Sequence, residues 1–221
     1  MKIEGGRSIL FTGDSITDCG RARPVGEGAG LGDGYVALAA QGLAAGSRER
    51  RIKVLNTGTG GDTIVDLASR WKTDVLDLAP DWLSVLIGIN DVWRQFDPLW
   101  SPFGVPIDRY EAIYRELLTR TRPALKGLVL MAPYVIESSR TDPMRSRMDA
   151  YGAVVERLAA EFDAVFVAVQ KAFDRVLTRQ PAGSLSDDQV HPNRSGHRII
   201  ADTFLDAVGF STDGPLDTSR Q

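Results

Sequence analysis

A serine near the start, a histidine near the end and two stretches rich in amide donors are the residues of this chain equipped to cleave an ester. Ser15 stands in Gly13-Asp14-Ser15-Ile16-Thr17, directly after an apolar run at 8–12. A serine on a tight turn at the carboxyl end of a strand is fixed in place and reachable, as a nucleophile must be. No serine here stands in a G-x-S-x-G elbow. Taken alone, Ser15 reads more simply as the cap of the helical turn that follows it.

A serine hydroxyl attacks only when a base takes its proton, and the base needs an orienting group. The segment Asp187-Asp188-Gln189-Val190-His191-Pro192-Asn193 offers both. Asp188 and His191 are three residues apart, so their backbones lie within ~10 Å and a turn brings them closer. A carboxylate there can accept the imidazole Nδ1–H and leave Nε2 for the serine. Asp187 is a rival orienter one residue away. Pro192 biases His191 away from helical angles, and Asn193 is placed to cap the last helix.

Ester cleavage also needs donors for the oxygen that gains charge. Asn56-Thr57-Gly58-Thr59-Gly60-Gly61-Asp62-Thr63 precedes a helical pattern, and glycines in such a turn let backbone N–H groups face an anion. A plain strand-to-helix turn and a phosphate loop are the competing readings, although no Walker Gly-Lys-Ser/Thr and no G-x-G-x-x-G is present. Asn90, in Gly88-Ile89-Asn90-Asp91, can donate a side-chain N–H to the same point or stabilise a turn.

These groups cooperate only if one scaffold gathers them. Apolar runs at 8–12, 52–56, 82–87, 128–132 and 165–169 are rich in Val, Ile and Leu without clean alternation. Strands covered on both faces read this way. Tyr110, Ile113, Tyr114, Leu117 and Leu118 recur at helical spacing, with Asp108 placed to cap. Ile64, Leu67, Ala68, Trp71 and Val75 form a second stripe behind Asp62, and Met148, Tyr151, Val155, Leu158, Ala159 and Phe162 a third. Ile199, Ile200, Phe204, Leu205 and Val208 form the last, and a weaker helix covers 35–45.

Strand–helix alternation predicts an α/β protein, a three-layer α/β/α sandwich around a flavodoxin-like, five-stranded parallel sheet. The fold class suggests strand order 2-1-3-4-5, with ligands bound beyond the carboxyl ends of the strands. Ser15, the glycine run and Asn90 all fall at that edge, as do the long loops 18–33, 93–107 and 133–143.

The 221 residues suit a single domain, 1–221, ending in a polar tail at 211–221. With 26 basic and 29 acidic residues, net −3, the chain has no basic stripe for nucleic acid and no polybasic patch for a membrane. Apolar runs are far shorter than the ~18 residues of a membrane helix. The N-terminus does not read as a signal peptide, so a cytoplasmic location is expected. One cysteine, Cys19, permits no intrachain disulfide, and with only two histidines a tetrahedral zinc site would need carboxylates.

The order Ser, Gly, Asn and His along the chain resembles the SGNH (GDSL) hydrolase superfamily. Its blocks stand here as GDSIT, GTGGDT, GIND and DQVHPN, and the resemblance spans about residues 8–210. It implies that Ser15 is the nucleophile and that Asp188 and His191 complete the triad. The Ser15 and Gly61 N–H groups and the Asn90 amide would form the oxyanion hole. Between the blocks, GDSITDCGRARP, GYVAL, GINDVWRQ and DPMR look like the bacterial acetyl-xylooligosaccharide esterases. That similarity implies removal of acetyl groups from short imported xylo-oligosaccharides, in the cytoplasm, with no metal and no cofactor. Two positions depart from those relatives: Asp187 where a bulky residue often precedes the triad aspartate, and Asp62 where asparagine is often found.

Asp14, Trp93 and Arg94 are further candidates for substrate contact. Trp93, Phe96, Trp100 and Phe103 suit stacking on sugar rings and equally suit loop packing or a subunit contact, which leaves a homo-oligomer open. Arg21, Arg23 and Arg94 read as ordinary surface charges, with a role near the site as the alternative, Cys19 as a bland buried or loop thiol, and His197 as a structural or exposed residue of the last helix. Lysophospholipase, thioesterase and arylesterase activities are alternatives within the superfamily. A flavin- or nucleotide-binding module using the glycine turns as anion nests is the alternative of another class.

Overall fold

Ile9, Leu10 and Phe11 of strand β1 (Ser8–Gly13) are all fully buried, so the strand is covered on both faces. The computed structural model describes residues 2–45 and 51–210; the polar tail expected at 211–221 lies outside the described residues. After β1 come the single turn α1 (Ser15–Asp18), β2 (Gly26–Glu27), α2 (Tyr35–Ala45) and β3 (Lys53–Asn56). Then follow α3 (Ile64–Trp71), β4 (Trp82–Leu86), α4 (Ile89–Trp93), α5 (Ile107–Thr121) and β5 (Gly127–Met131). The chain continues through α6 (Pro143–Glu161), β6 (Val165–Val167), α7 (Val169–Leu177) and α8 (Arg194–Ala207).

The sheet order is β2-β3-β1-β4-β5-β6. Its five parallel strands therefore follow the expected 2-1-3-4-5 order, with β1 between β3 and β4. The sixth strand was not expected. β2 is two residues long and pairs antiparallel with β3 at the edge, Gly26 opposite Asn56. Its glycine-rich surroundings lack the apolar run that marks a strand.

Gly13 allows the end of β1 to lie against β4. Its φ is +156°, and a Cβ there would sit 2.0 Å from the Leu86 carbonyl oxygen. Only glycine fits so close an approach, and the chain turns into Ser15 directly after it.

Two helix expectations and one strand expectation need correction. Asp108 is not the cap of α5: Pro106 holds that position and Asp108 lies in the first turn, where its charge still suits the helix dipole. The stripe at 64–75 is not one α-helix. α3 ends at Trp71 and passes into a π turn over Lys72–Leu76, which keeps Val75 buried. The run expected to stay extended through Val169 stops at Val167, and Val169 opens α7. Val169, Ala172 and Phe173 are the buried face of that helix; its first valine merges by sequence into the strand before it.

Candidate active site

Ser15 is the first residue of α1. The capping role is taken by Asp14, whose Oδ1 accepts the Ile16 N–H at 3.0 Å. The Ser15 hydroxyl is thereby free for another partner, and Ser15 Oγ lies 3.0 Å from His191 Nε2. His191 Nδ1 lies 2.7 Å from Asp188 Oδ2. Burial raises the proton affinity of Asp188, but hydrogen bonds from the His191 ring and the His191 and Val190 N–H groups outweigh it. The carboxyl ends well below its ordinary range. An ionised Asp188 accepts from Nδ1–H, which leaves the Nε2 lone pair facing the serine O–H.

The loop between α7 and α8 makes this geometry. Asp188 Oδ1 accepts from His191 N at 2.7 Å, Val190 N at 2.9 Å and Ser186 Oγ at 3.0 Å. Gln189 at the apex has φ +65°. Asn193 caps α8 by accepting from Ser195 and Gly196 N–H, while its own Nδ2 donates to Ser184 O at 2.8 Å. Asp188, not the exposed Asp187, meets the imidazole. Both triad side chains beyond the serine are open to solvent, 59% exposed at His191 and 52% at Asp188.

Gly60 and Gly61 end the loop after β3. A Cβ on Gly60 would lie 3.9 Å from Ser15 Cβ, and Gly61 holds φ +84°, a conformation glycine adopts without strain. Asn90, only 8% exposed at the start of α4, donates from Nδ2 to Asp62 O at 3.0 Å. An amide nitrogen carries two hydrogens, so this bond orients Asn90 and leaves one N–H to offer. Asp91 accepts the Ile64 N–H with both oxygens, at 3.0 and 3.2 Å, and so ties α4 to α3.

The remaining sequence candidates are more scattered. Asp14, expected at the substrate, is 1% exposed and works as a cap; burial pushes its carboxyl up to about 7, and Oδ2 has no partner among the described residues. Trp93 is half-buried against the core. Arg94 donates to the Gly61 carbonyl oxygen and stands 5.6 Å from the Trp100 ring centre. Phe96, Trp100 and Phe103 are exposed, Trp100 and Phe103 with ring centres 5.9 Å apart.

Arg21 and Arg23 both reach the site's framework, Arg21 from a buried position and Arg23 from the surface. Arg21 is buried and donates to Gly58 O at 2.6 Å. Arg23 donates at 2.6 Å to Asp18 Oδ2, which also accepts the Gly60 N–H at 3.0 Å. Cys19 Sγ lies 3.3 Å from His197 Nε2, and burial pushes the thiol up to about 12. His197 is buried and accepts the Tyr35 N–H on Nδ1 at 3.2 Å. Sequence reasoning missed Arg70 and the tethering role of Asp91. Arg70 reads as an ordinary polar residue at the end of a helix, and only its tertiary contacts distinguish it. Among the described residues, no three His, Cys, Asp or Glu side chains gather as a metal site, and no helix is long and apolar enough to cross a membrane.

Comparison with known proteins adds to this geometry. A sequence model of the GDSL-like lipase/acylhydrolase family matches residues 11–199. An acetylxylan esterase from Geobacillus stearothermophilus is 49% identical over 213 residues, 95% of this chain and 97% of that protein. The crystal structure of Axe2, an acetylxylan esterase from the same organism, superposes with a TM-score of 0.93 and covers 96% of this chain and 98% of that one. Similar structures include catalytic mutants of Axe2 in which a serine, an aspartate or a histidine is replaced by alanine. The thioesterase 1/protease 1/lysophospholipase L1 of Escherichia coli K12 is 27% identical over 159 residues, 70% of this chain and 66% of that protein.

Proposed function

The chain belongs to the GDSL-like lipase/acylhydrolase family and is a carboxylic-ester hydrolase; from that premise we propose that it removes acetyl groups from O-acetylated xylo-oligosaccharides or related sugars through an acyl-enzyme. The observation that carries the mechanism is the relay from Ser15 Oγ to His191 Nε2 at 3.0 Å and from His191 Nδ1 to Asp188 at 2.7 Å.

In this reading His191 takes the Ser15 proton as Oγ attacks the ester carbonyl carbon. Charge develops on the carbonyl oxygen, and the Ser15 and Gly61 N–H groups with the Asn90 amide hold it. The tetrahedral intermediate collapses, and His191 gives its proton to the leaving sugar hydroxyl. Water then attacks the acetyl-enzyme, His191 serving again as base, and acetate leaves. Asp188 stays ionised throughout and steadies the imidazolium.

Similarity to the Geobacillus acetylxylan esterase supports the sugar substrate. The nearby loop is consistent with it: Trp100 and Phe103 are exposed aromatics, and Arg94, which donates to Gly61, also lies over the Trp100 ring. A cytoplasmic location, where short imported oligosaccharides would be met, is part of the same proposal.

The test is a panel of acetylated xylo-oligosaccharide, long-chain ester, lysophospholipid and acyl-thioester, run on the wild type and on Ser15→Ala. Fastest turnover on the acetylated sugar, lost in the alanine variant, is expected. Faster turnover of the lipid or thioester would move the substrate to the alternatives of the same family.

A further inference from the structure

The guanidinium of Arg70, at the end of α3, uses all three of its nitrogens beneath the site. Nε donates to Asp62 Oδ2 at 2.5 Å. Nη1 donates to Thr57 O at 2.6 Å and to Asp74 Oδ2 at 2.8 Å, and Nη2 donates to Gly13 O at 2.8 Å. Gly13 O also accepts the Thr59 N–H at 3.0 Å. The carbonyl ends of β1 and β3 and the loop carrying Gly61 thus meet on one side chain, itself only 16% exposed.

Two of these acceptors lie close in the chain to reacting groups. Gly13 is two residues before Ser15. Asp62 follows Gly61, and its backbone carbonyl holds the Asn90 amide at 3.0 Å. The bidentate fork of an arginine can fix several acceptors in a plane at once, whereas a lysine ammonium is a point charge.

We propose that Arg70 is the positioning residue of the oxyanion donors: it sets the Asp62 segment, and through it Gly61 and Asn90, relative to Ser15. The inference rests on reading Gly61 and Asn90 as oxyanion donors. It differs from that reading in assigning their placement to a residue that never touches the substrate.

The experiment is a double-mutant cycle on an aryl acetate, with Arg70→Met, Asn90→Ala and the double variant, folding of each being followed by thermal unfolding. Arg70→Met should lower kcat about 10- to 100-fold while KM stays within about 3-fold, since the donors matter when charge develops. Arg70→Lys, which keeps charge and bulk but not the fork, should fall between, and it is read by the same criteria should the methionine variant not fold. In the Asn90→Ala background Arg70→Met should cost clearly less than it does in the wild type, with a remainder from Gly61, because groups in one network are not additive. Additive losses, or a change confined to KM, would overturn the role given to Arg70. Full kcat in Asn90→Ala would instead overturn the oxyanion reading on which it rests.

Discussion

The buried His197 should make the protein lose stability in mild acid. Its ring is 8% exposed, Nδ1 accepts the Tyr35 N–H, and Nε2 faces Cys19 Sγ. A proton added at Nδ1 would confront the Tyr35 N–H, donor against donor. Burial, with a smaller contribution from His191, lowers the ring from the ordinary 6.5 to about 4. Between those values the unfolded chain binds a proton that the folded chain refuses. Stability therefore falls as pH drops from about 6.5 to about 4 and the loss levels off below. At about 1.4 kcal/mol per pH unit the full loss is ~3 kcal/mol, about 2 kcal/mol of it by pH 5. The assay is urea unfolding from pH 7.5 to 4.5 on the wild type and on His197→Asn, whose side-chain oxygen can still accept from Tyr35. Carboxylate titrations are common to both, so the difference in slope isolates His197. Parallel curves, or a His197 ring resonance that titrates near 6.5, would refute the reasoning.

Ser15→Ala should abolish ester hydrolysis with an unchanged melting temperature, and a serine-directed organophosphate should label the wild type at Ser15 alone. His191→Ala should be nearly as inactive, whereas His197→Ala should keep substantial turnover; the reverse order would displace the Asp188–His191 assignment. Asn90→Ala should lower kcat by roughly 10²–10³ with little change in KM, measured by steady-state kinetics on an aryl acetate. Across acetyl, butyryl and octanoyl esters of one alcohol, kcat/KM should fall steeply, and Trp100→Ala should harm acetylated sugars more than the aryl acetate. Preference for octanoyl esters, where each buried CH₂ is worth ~0.8 kcal/mol, would point to a lipid tail.

What could be read from the sequence follows from how local each signal is. The five parallel strands declare themselves because a strand buried on both faces is a short apolar run; β2 does not, since two residues beside glycines carry no period. Asp188 and His191 were legible because three residues of chain confine them together. Ser15, Gly61 and Asn90 were placed on one edge by topology alone. Arg70 could not be found that way. Its partners are Gly13 at the end of β1 and both Thr57 and Asp62 in the loop before α3, and no spacing in the chain announces that they converge. Arg21 was misread for the same reason: its partner Gly58 lies far along the chain. Of the four loop aromatics, Trp93 is half-buried and Trp100 the more open, a difference that spacing alone does not reveal.

Asn193 ties the turn that carries the proposed base, His191, to the rest of the molecule. It closes α8 with its side-chain oxygen, holds Ser184 with its amide, and pins Leu185 O with its backbone N–H at 2.7 Å. The turn bearing His191 is thus spliced into the start of a helix whose inner face, Ile200, Ala201 and Phe204, lies in the main core. A loop so fastened is not a separate unit that opens on its own. Loss of the relay and loss of the fold should therefore form one cooperative event, which activity and unfolding curves that coincide on heating would check.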